Sequence, residues 1–383
     1  MILNLDDFRT QARRALPGFA FSYVDGGADD ERTLAHNRTV FERWQFVPPV
    51  LKDCSQRDLS IILGRETLRA PLLIAPTGYN GMLRHQADLM LARAARRAGI
   101  SLIQSTVSTA SLEEVAADGQ GHHWFQLYVL KDRRVTVDLL TRARAAGCTT
   151  LVVSVDAVHF GNRERDKRHY RRPMKLSLRS LLDVARRPGW VWRTLKPQGM
   201  PGFGNLKPYL PPQYQRGVGG AAYFAEQMDT TLNWETLGWL RQQWQGDLLI
   251  KGIMTVGDAR QAMTLGADGV VLSNHGGRQL DGSISPMLVL SDIRHALGEQ
   301  AIILIDSGFR RGTDVVKALA LGANAVLLGR PLLYAVAAAG EAGAHQALSI
   351  LYAEIDRTLA QLGCSCINEL GPHLLRENLP TLR

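Results

Sequence analysis

The chain has 383 residues, of which 45% are hydrophobic and 21% charged, and its formal net charge is +9 at pH 7. This length and composition exclude a disordered chain and a small disulfide scaffold. Between Arg163 and Arg216 there are 14 basic and 3 acidic residues, whereas the rest of the chain has 31 basic and 33 acidic residues. A partner with negative charge is therefore expected to bind this one segment.

Targeting and metal-binding signals are not found in the sequence. The N-terminus has no apolar core followed by a small-residue cleavage site, and nowhere do 18 apolar residues follow one another, so we expect neither a signal peptide nor a transmembrane helix. No H-x-x-x-H, E-x-x-H or cysteine cluster predicts a metal site. The cysteines favour a reducing compartment, because no C-x-x-C pair occurs among Cys54, Cys148, Cys364 and Cys366.

Short aliphatic runs recur along the chain after residues 1–60, which we expect to form a helical cap. Continuous Val, Ile and Leu runs are typical of parallel strands buried on both faces. We predict strands over residues 71–77, 101–106, 123–129, 150–156, 247–253, 269–275, 301–307 and 325–330. Apolar residues at helical spacing predict intervening helices, among them 86–98, 133–146, 257–265 and 312–321.

Eight strands that alternate with helices predict the α/β class and a (β/α)8 TIM barrel over residues 61–383. An open doubly wound sheet is the alternative, but no G-x-G-x-x-G follows the first strand. The link from 157 to 246 is much longer than barrel links usually are. The sequence therefore predicts an N-terminal helical extension and a long insertion after strand 4.

Residues 174–220 of this insertion combine basic residues, prolines and aromatic residues, including "GWVW" at 189–192. An amphipathic helix is predicted from the i, i+3, i+4, i+7 spacing of Leu178, Leu181, Leu182 and Ala185. Basic residues and interfacial aromatics without a spanning helix predict a monotopic attachment to an anionic membrane surface. A mobile active-site lid is an alternative, and nucleic-acid binding is disfavoured because no known module surrounds the segment.

Polar residues follow nearly every predicted strand, at the end of a barrel where active sites form. His275 follows the sixth strand and is succeeded by two glycines and Arg278. A histidine can act as a base near neutral pH, and an arginine can bind a carboxylate through two hydrogen bonds. We expect Asp156, after the fourth strand, to orient His275 and to raise its pKa. After the last two strands, a phosphate site is predicted from Gly308, Arg310, Gly329 and Arg330.

Several of these motifs carry a family resemblance. The most specific is "SNHGGRQLD" (273–281), and it is joined by "YVDGGADDERT" (23–33), "FQLY" (125–128), "KGI" (251–253) and "DSGFRRGTDVVKALALGA" (306–323). Along nearly its whole length, apart from the insertion, the chain resembles the FMN-dependent (S)-2-hydroxy acid dehydrogenases and oxidases. Motifs such as "APTGYNGML" carry a closer likeness to the bacterial members that oxidise (S)-mandelate.

The resemblance implies that an (S)-2-hydroxy acid is oxidised with FMN, (S)-mandelate giving phenylglyoxylate (benzoylformate), and that electrons pass to a membrane quinone pool. An L-lactate dehydrogenase or an oxygen-using oxidase is the alternative within the family. The resemblance also implies a peripheral protein on the cytoplasmic side of the inner membrane and a homo-oligomer, with a tetramer expected. The residues alone leave open a non-redox phosphate-binding barrel, such as an isomerase, or an inactive membrane-bound anion-binding protein.

The resemblance further implies which residues hold FMN. Lys251 would lie beside the flavin ring, where its charge would stabilise the reduced ring and raise the reduction potential. The complete set implied for cofactor binding is Pro76, Thr77, Gly78, Ser105, Gln126, Ser154, Lys251, Ser273, Asp306, Gly308, Arg310, Gly329 and Arg330.

For the substrate, the resemblance implies that His275 is the base and Asp156 its partner. The carboxylate would be bound by Arg163 and Arg278, with assistance from Tyr23. The substrate hydroxyl, or the carbonyl oxygen that develops from it, would be bound by Tyr128.

Overall fold

A computed structural model describes residues 1–119, 121–172, 175–197, 199–215 and 219–378. Within the predicted membrane segment, Met174, Gln198 and residues 216–218 lie outside the described residues.

The helices are α1 Leu5–Ala15, α2 Gly18–Asp25, α3 Arg32–Thr39, α4 Ala87–Ala98, α5 Leu112–Ala117, α6 Arg133–Ala145, α7 Glu164–Lys167, α8 Leu178–Ala185, α9 Pro188–Trp190, α10 Gly219–Gln227, α11 Trp234–Gln243, α12 Val256–Thr264, α13 Leu290–Leu297, α14 Gly312–Ala320 and α15 Arg330–Gln361. The strands are β1 Trp44–Phe46, β2 Ile61–Leu63, β3 Glu66–Leu68, β4 Leu72–Ile74, β5 Ser101–Ser105, β6 His123–Leu127, β7 Thr150–Ser154, β8 Tyr170–Arg172, β9 Lys175–Leu176, β10 Asp247–Ile253, β11 Gly269–Leu272, β12 Ile302–Ile305, β13 Ala325–Leu328 and β14 Leu375–Glu377.

The predicted (β/α)8 barrel is confirmed. Eight parallel strands close in the order β10-β11-β12-β13-β4-β5-β6-β7. Most predicted strands extend a few residues too far at their carboxyl ends, because those residues leave the hydrogen-bonded ladder and enter the loops above it. Neighbouring strands bring polar residues into register at this end, with Ser105 opposite Gln126 and Ser154 opposite Lys251.

Apolar packing closes the opposite end of the barrel. Leu63 and Leu68 of the β2–β3 hairpin are buried in one cluster with residues that alternate along the strands, including Leu73, Ile103, Val152, Leu249, Val271, Leu304 and Leu327. Burying a leucine side chain stabilises the fold by about 1.5–3 kcal/mol. The barrel therefore has a solid base, and its polar residues collect at the carboxyl ends of the strands.

The N-terminal helices contact the loops at those carboxyl ends. Asn37 of α3 exchanges two amide hydrogen bonds with Asn274, at 2.8 and 2.9 Å, and both side chains are buried. Asp25, at the end of α2, pairs with Arg165 of the insertion at 2.7 Å. The N-terminal residues thus hold the segment that carries His275 against the barrel.

The insertion between β7 and β10 contains α7 to α11 and the β8–β9 hairpin. A π-helical turn, Val191–Leu195, continues α9. In the described ranges of the chain, no helix has both the length and the apolar character needed to cross a bilayer.

The Asn37–Asn274 pair gives a test of how α3 stabilises the site. Asn37→Ala removes two buried amide hydrogen bonds, so we expect the free energy of unfolding to fall by about 1–3 kcal/mol, measured by denaturant unfolding followed by circular dichroism. Thr67→Ala, at an exposed position of β3, is the control and should change it by less than about 0.5 kcal/mol. Equal stability of the two variants would contradict this role for the pair.

Candidate active site

A cavity of about 360 Å³ lies at the carboxyl ends of the barrel strands. Most predicted site residues line it, namely Tyr23, Pro76, Thr77, Gly78, Ser105, Tyr128, Arg163, Lys251, His275, Arg278, Asp306, Gly308, Arg310, Gly329 and Arg330. The four others contact or pair with this lining from behind. Asp156 lies beside His275, Gln126 beside Ser105, Ser273 beside Lys251, and Ser154 opposite Lys251 in the next strand.

His275 and Asp156 form a close pair at the cavity. The imidazole Nδ1 is 3.1 and 3.2 Å from the two carboxylate oxygens of Asp156. The other ring nitrogen, Nε2, is 3.4 Å from the Tyr128 hydroxyl. His275 has a left-handed backbone, with φ +57°, and its N–H donates to Ser273 Oγ at 3.0 Å. The carboxylate therefore holds Nδ1, and Nε2 is left toward the cavity.

Burial sets the pKa of His275. Desolvation lowers this pKa, the charge of Asp156 acts to raise it, and the charge of Lys251 lowers it again, so that the pKa lies below its ordinary value. The prediction that Asp156 acts to raise the pKa of His275 is confirmed, but burial outweighs the carboxylate and the net shift is downward. The imidazole is neutral at pH 7 and can accept a proton.

Lys251 places a buried positive charge in the cavity wall. Its Nζ donates to Ser273 Oγ at 2.8 Å and lies 3.2 Å from Asp306 Oδ2. Burial acts to lower the pKa of Lys251, but the carboxylates of Asp306 and Asp156 outweigh this effect and raise it. Burial also acts to raise the pKa of Asp156, but the interactions with His275 and with the charge of Lys251 outweigh burial and lower it. Lys251 and Asp156 are therefore both charged at neutral pH.

Arg163 and Arg278 both line the cavity, and their charges interact. Arg163 Nε is buried without a hydrogen-bond partner in the part of the chain that the structure describes. Burial, and then the charge of Arg278, lowers the pKa of Arg163 to about 10. Two guanidinium groups that repel each other inside a cavity favour an anion between them, and a carboxylate matches their planar donors.

Arg278 and Arg330 also bind the C-terminal end of α2. Arg278 Nη1 donates to the carbonyl oxygens of Tyr23 and Gly26 at 2.6 and 3.0 Å. Arg330 donates to the carbonyls of Val24 and Gly26, at 2.9 and 2.8 Å. These carbonyls are the acceptors that a helix leaves unpaired at its end. Both arginines thus have a structural role that sequence analysis missed.

Because its guanidinium is bound to these carbonyls, Arg330 is now expected to contribute to a phosphate site through its main chain and not through its side chain. Its guanidinium also donates to Gly276 O at 2.8 Å, and burial lowers its pKa to about 9. At the start of α15, Pro331 has no N–H, and the N–H groups of Leu332 and Leu333 donate to Gly329 O at 3.1 and 3.4 Å, so Gly329 and Arg330 would supply the main-chain donors for a phosphate. Arg310 also lines the cavity with a buried guanidinium, and its Nε lies 3.9 Å from a carboxylate oxygen of Asp6.

The cavity fits the FMN that the resemblance implies. The amide of Gln126 is buried; its oxygen accepts from Ser105 Oγ at 2.8 Å, but its Nε2 has no partner among the described residues. An unpaired buried donor is costly, and a ring carbonyl would satisfy it. Lys251 would supply a cation for a flavin ring, and Arg310 with the start of α15 would supply donors for the phosphate.

An aromatic wall on the other side of the cavity was not predicted. The ring centroids of Tyr79 and Phe203 are 5.3 Å apart, those of Phe203 and Phe224 are 6.2 Å apart, and those of Phe224 and Tyr128 are 6.0 Å apart. Phe203 and Phe224 belong to the insertion, so the rule that active-site residues follow barrel strands could not identify them. Other unpredicted lining residues are Met82, Val107, Phe160 and Tyr170.

Substitution of Asp156 can separate its effect on the pKa of His275 from the opposite effect of burial. Asp156→Asn removes the charge that raises the pKa of His275, so we expect this pKa to fall further. Nuclear magnetic resonance titration of the imidazole protons, assigned with a His275→Gln variant, measures the shift. Asp292→Asn, at an exposed position of α13, should leave the His275 titration unchanged. A higher pKa in Asp156→Asn would contradict the assigned interaction.

Comparison with known proteins extends these observations. The model of the FMN-dependent dehydrogenase family matches residues 12–377. The chain is 46% identical to (S)-mandelate dehydrogenase of Pseudomonas putida, over 98% of this chain and 94% of that protein. It is 41% identical to L-lactate dehydrogenase of Alcaligenes faecalis, over 98% of this chain and 99% of that protein.

Two solved structures show the same fold. One is the monotopic membrane protein (S)-mandelate dehydrogenase, with a TM-score of 0.94 and 45% identity over 98% of this chain and 100% of that chain. The other is mandelate oxidase with benzoyl-formic acid, with a TM-score of 0.81 and 34% identity over 99% of each chain.

Proposed function

Since the chain belongs to the family of FMN-dependent dehydrogenases and is a 2-hydroxy acid dehydrogenase, we propose that its substrate is (S)-mandelate or a close aromatic analogue. The product is the corresponding 2-oxo acid, phenylglyoxylate for mandelate. The observation that carries this proposal is the site itself: a neutral His275, paired with Asp156, lies in one cavity with two arginines and an aromatic wall.

The two arginines would bind the substrate carboxylate. Arg163 has a buried Nε without a partner among the described residues, and Arg278 is already oriented by the carbonyls of Tyr23 and Gly26. Preorganised donors bind without first losing side-chain freedom. The Tyr23 hydroxyl donates to Gly78 O at 2.9 Å, so in this arrangement Tyr23 acts mainly by holding Arg278 through its main-chain carbonyl.

His275 would take the proton from the substrate. The oxidation removes two electrons and two protons from the hydroxyl-bearing carbon and its oxygen, and FMN, when bound, would take up the two electrons together with one of the protons. Nε2 of His275 accepts one proton, and the ionised Asp156 stabilises the resulting imidazolium. Tyr128 lies 3.4 Å from Nε2 and, because burial raises its pKa to about 12, it remains a hydroxyl donor for the substrate oxygen.

The flavin ring would be held by Pro76 to Gly78, Ser105, Gln126, Ser154, Lys251 and Ser273, and the ribityl chain by Asp306. The phosphate would be held by Gly308, Arg310, Gly329 and Arg330, with Arg330 contributing its main-chain N–H because its guanidinium is bound to carbonyls. Lys251 would stabilise the negative charge that the ring gains on reduction, since its own charge is fixed by Asp306. Burial makes this electrostatic interaction stronger than it would be in water.

L-Lactate is the second candidate substrate, and the relative from Alcaligenes faecalis supports it. Lactate carries a methyl group where mandelate carries a phenyl ring. We favour mandelate because Tyr79, Phe203 and Phe224 offer a large aromatic surface to the cavity. A methyl group would leave much of that surface without contact.

Anaerobic flavin reduction distinguishes the candidate substrates. We expect (S)-mandelate to bleach the flavin absorbance with a kcat/KM at least about tenfold above that of L-lactate, since the phenyl ring buries more apolar surface. (R)-Mandelate is the matched control for its size and charge and should bleach the flavin slowly. Rapid bleaching by lactate without bleaching by either mandelate would contradict the proposed substrate.

We also propose that the insertion attaches the protein to an anionic membrane surface, where a quinone accepts the electrons. Leu178, Leu181 and Leu182 of α8 are 66%, 50% and 63% exposed, and Trp192 is 64% exposed. The Lys196 ammonium lies 3.2 Å from the centroid of the Trp192 ring. Exposed leucines, an exposed tryptophan and basic residues are the composition of an interfacial helix. The similar (S)-mandelate dehydrogenase structure is that of a monotopic membrane protein.

This surface is narrower than the predicted segment 174–220. Trp190 is buried, and its indole N–H donates to Met82 O at 3.0 Å. Phe203, Leu206 and Leu210 are also buried. Only the early part of the segment, around α8 and Trp192, presents large apolar side chains to solvent among the described residues.

Sedimentation with vesicles that contain phosphatidylglycerol tests the attachment. Serine substitution of Leu178, Leu181 and Leu182 together should lower the vesicle-bound fraction at least about tenfold, because the apolar area available to the membrane is lost. Serine substitution of Val50, Leu51 and Ile62, exposed residues outside the insertion, is the matched control. Both triple variants should keep the rate of flavin reduction. Unchanged sedimentation of the α8 variant would refute the proposed attachment surface.

A further inference from the structure

Asn205 attaches the insertion to the barrel next to the cavity. Its side chain is fully buried. The amide Nδ2 donates to Ser105 O at 3.0 Å, and the amide oxygen accepts from Leu112 N at 2.7 Å. Ser105 ends β5 and Leu112 begins α5, and Ser105 itself lines the cavity. Asn205 therefore helps to fix the position of the insertion relative to the cavity.

Gly204 makes this attachment close. Its N–H donates to Ser108 O at 3.0 Å, and a Cβ at this position would overlap the main chain of Ala110 and Ser111. The main chain of the insertion thus packs directly on the main chain of the barrel loop. The preceding residue, Phe203, has little freedom to withdraw from the cavity.

Phe203 lies within a row of aromatic rings that leads from Tyr79 to the base. It is buried and contacts Tyr79 and Phe224, with centroid distances of 5.3 and 6.2 Å. Phe224 lies 6.0 Å from Tyr128, and the Tyr128 hydroxyl is 3.4 Å from His275 Nε2. The side chain of a substrate held near His275 would therefore meet this row.

We propose that Asn205 is a positioning residue that holds Phe203 as a wall for the substrate side chain. The insertion would then determine the preference for aromatic over small aliphatic 2-hydroxy acids, in addition to its proposed contact with the membrane. This inference rests on the proposed function. A phenyl substituent can stack on Phe203 or meet its edge, whereas a methyl group gains little from an aromatic ring at this position.

The test compares Phe203→Leu, Asn205→Ala and the double variant in their flavin-loaded form. For Phe203→Leu we expect kcat/KM for (S)-mandelate to fall about tenfold, mainly through KM, with L-lactate changed by less than about twofold. Asn205→Ala should shift the mandelate-to-lactate ratio in the same direction. Because Asn205 acts through Phe203, the double variant should match Phe203→Leu and not add a further loss.

Binding of the products provides a readout apart from turnover. The Kd of phenylglyoxylate should rise about tenfold in Phe203→Leu and in Asn205→Ala, and that of pyruvate should stay within about twofold. Phe8→Leu, at a buried position of α1 outside the cavity, is the control. It should leave unchanged the mandelate-to-lactate ratio of kcat/KM and the phenylglyoxylate-to-pyruvate ratio of Kd. If Asn205→Ala yields no flavin-containing protein, Asn205→Asp, which keeps an acceptor for Leu112 N, takes its place.

An unchanged ratio of kcat/KM for (S)-mandelate to kcat/KM for L-lactate in Phe203→Leu would overturn this inference. An equal fall in kcat/KM for both acids in the Asn205 variant would also overturn it. These outcomes leave the proposed function intact. A wild-type protein whose flavin is reduced by neither acid, or by lactate alone, would instead overturn the proposed function.

Discussion

The site depends on the interaction of the buried Lys251 ammonium group with the carboxylate of Asp306. An isolated charge in this environment would cost several kcal/mol, so it must be compensated. Asp306 and Ser273 provide the contacts, at 3.2 and 2.8 Å. Burial has the largest effect on the pKa of His275 and lowers it, whereas the charge of Asp156 acts to raise it. The charge of Lys251 then lowers this pKa further. The result is an ionised Asp156 beside a neutral imidazole, which is the protonation state that a base requires.

The end of α2 connects the two regions where anions are expected to bind. Gly26 O accepts from both Arg278, on the substrate side, and Arg330, beside the start of α15. The carbonyls at the end of a helix carry partial negative charge, so they suit these guanidinium groups. The N-terminal helices are therefore part of the site, because main-chain carbonyls at the end of α2 orient both arginines. The insertion completes the cavity from the opposite side with Phe203 and Phe224.

Much of this arrangement was predictable, because a strand buried on both faces leaves a continuous aliphatic run and a barrel directs its strand ends to one mouth. That logic identified His275 and Asp156, and the family resemblance added Lys251. It could not give the direction of the His275 pKa shift, because burial depends on every element packed around the ring. It also missed Phe203 and the carbonyl contacts of Arg330, since these depend on how the insertion and α2 fold over the barrel. Trp190 and Trp192 are two residues apart in one aromatic motif, yet only the fold determines which is buried.

The reduction potential of the bound flavin, measured by equilibrium titration in wild type and in Lys251→Met, tests the proposed role of Lys251 most directly. Methionine keeps a side chain of similar length and removes the charge. The account predicts a lower potential in the variant, because the positive charge that stabilises the reduced flavin is gone. Equal potentials in two proteins that bind FMN equally would contradict it.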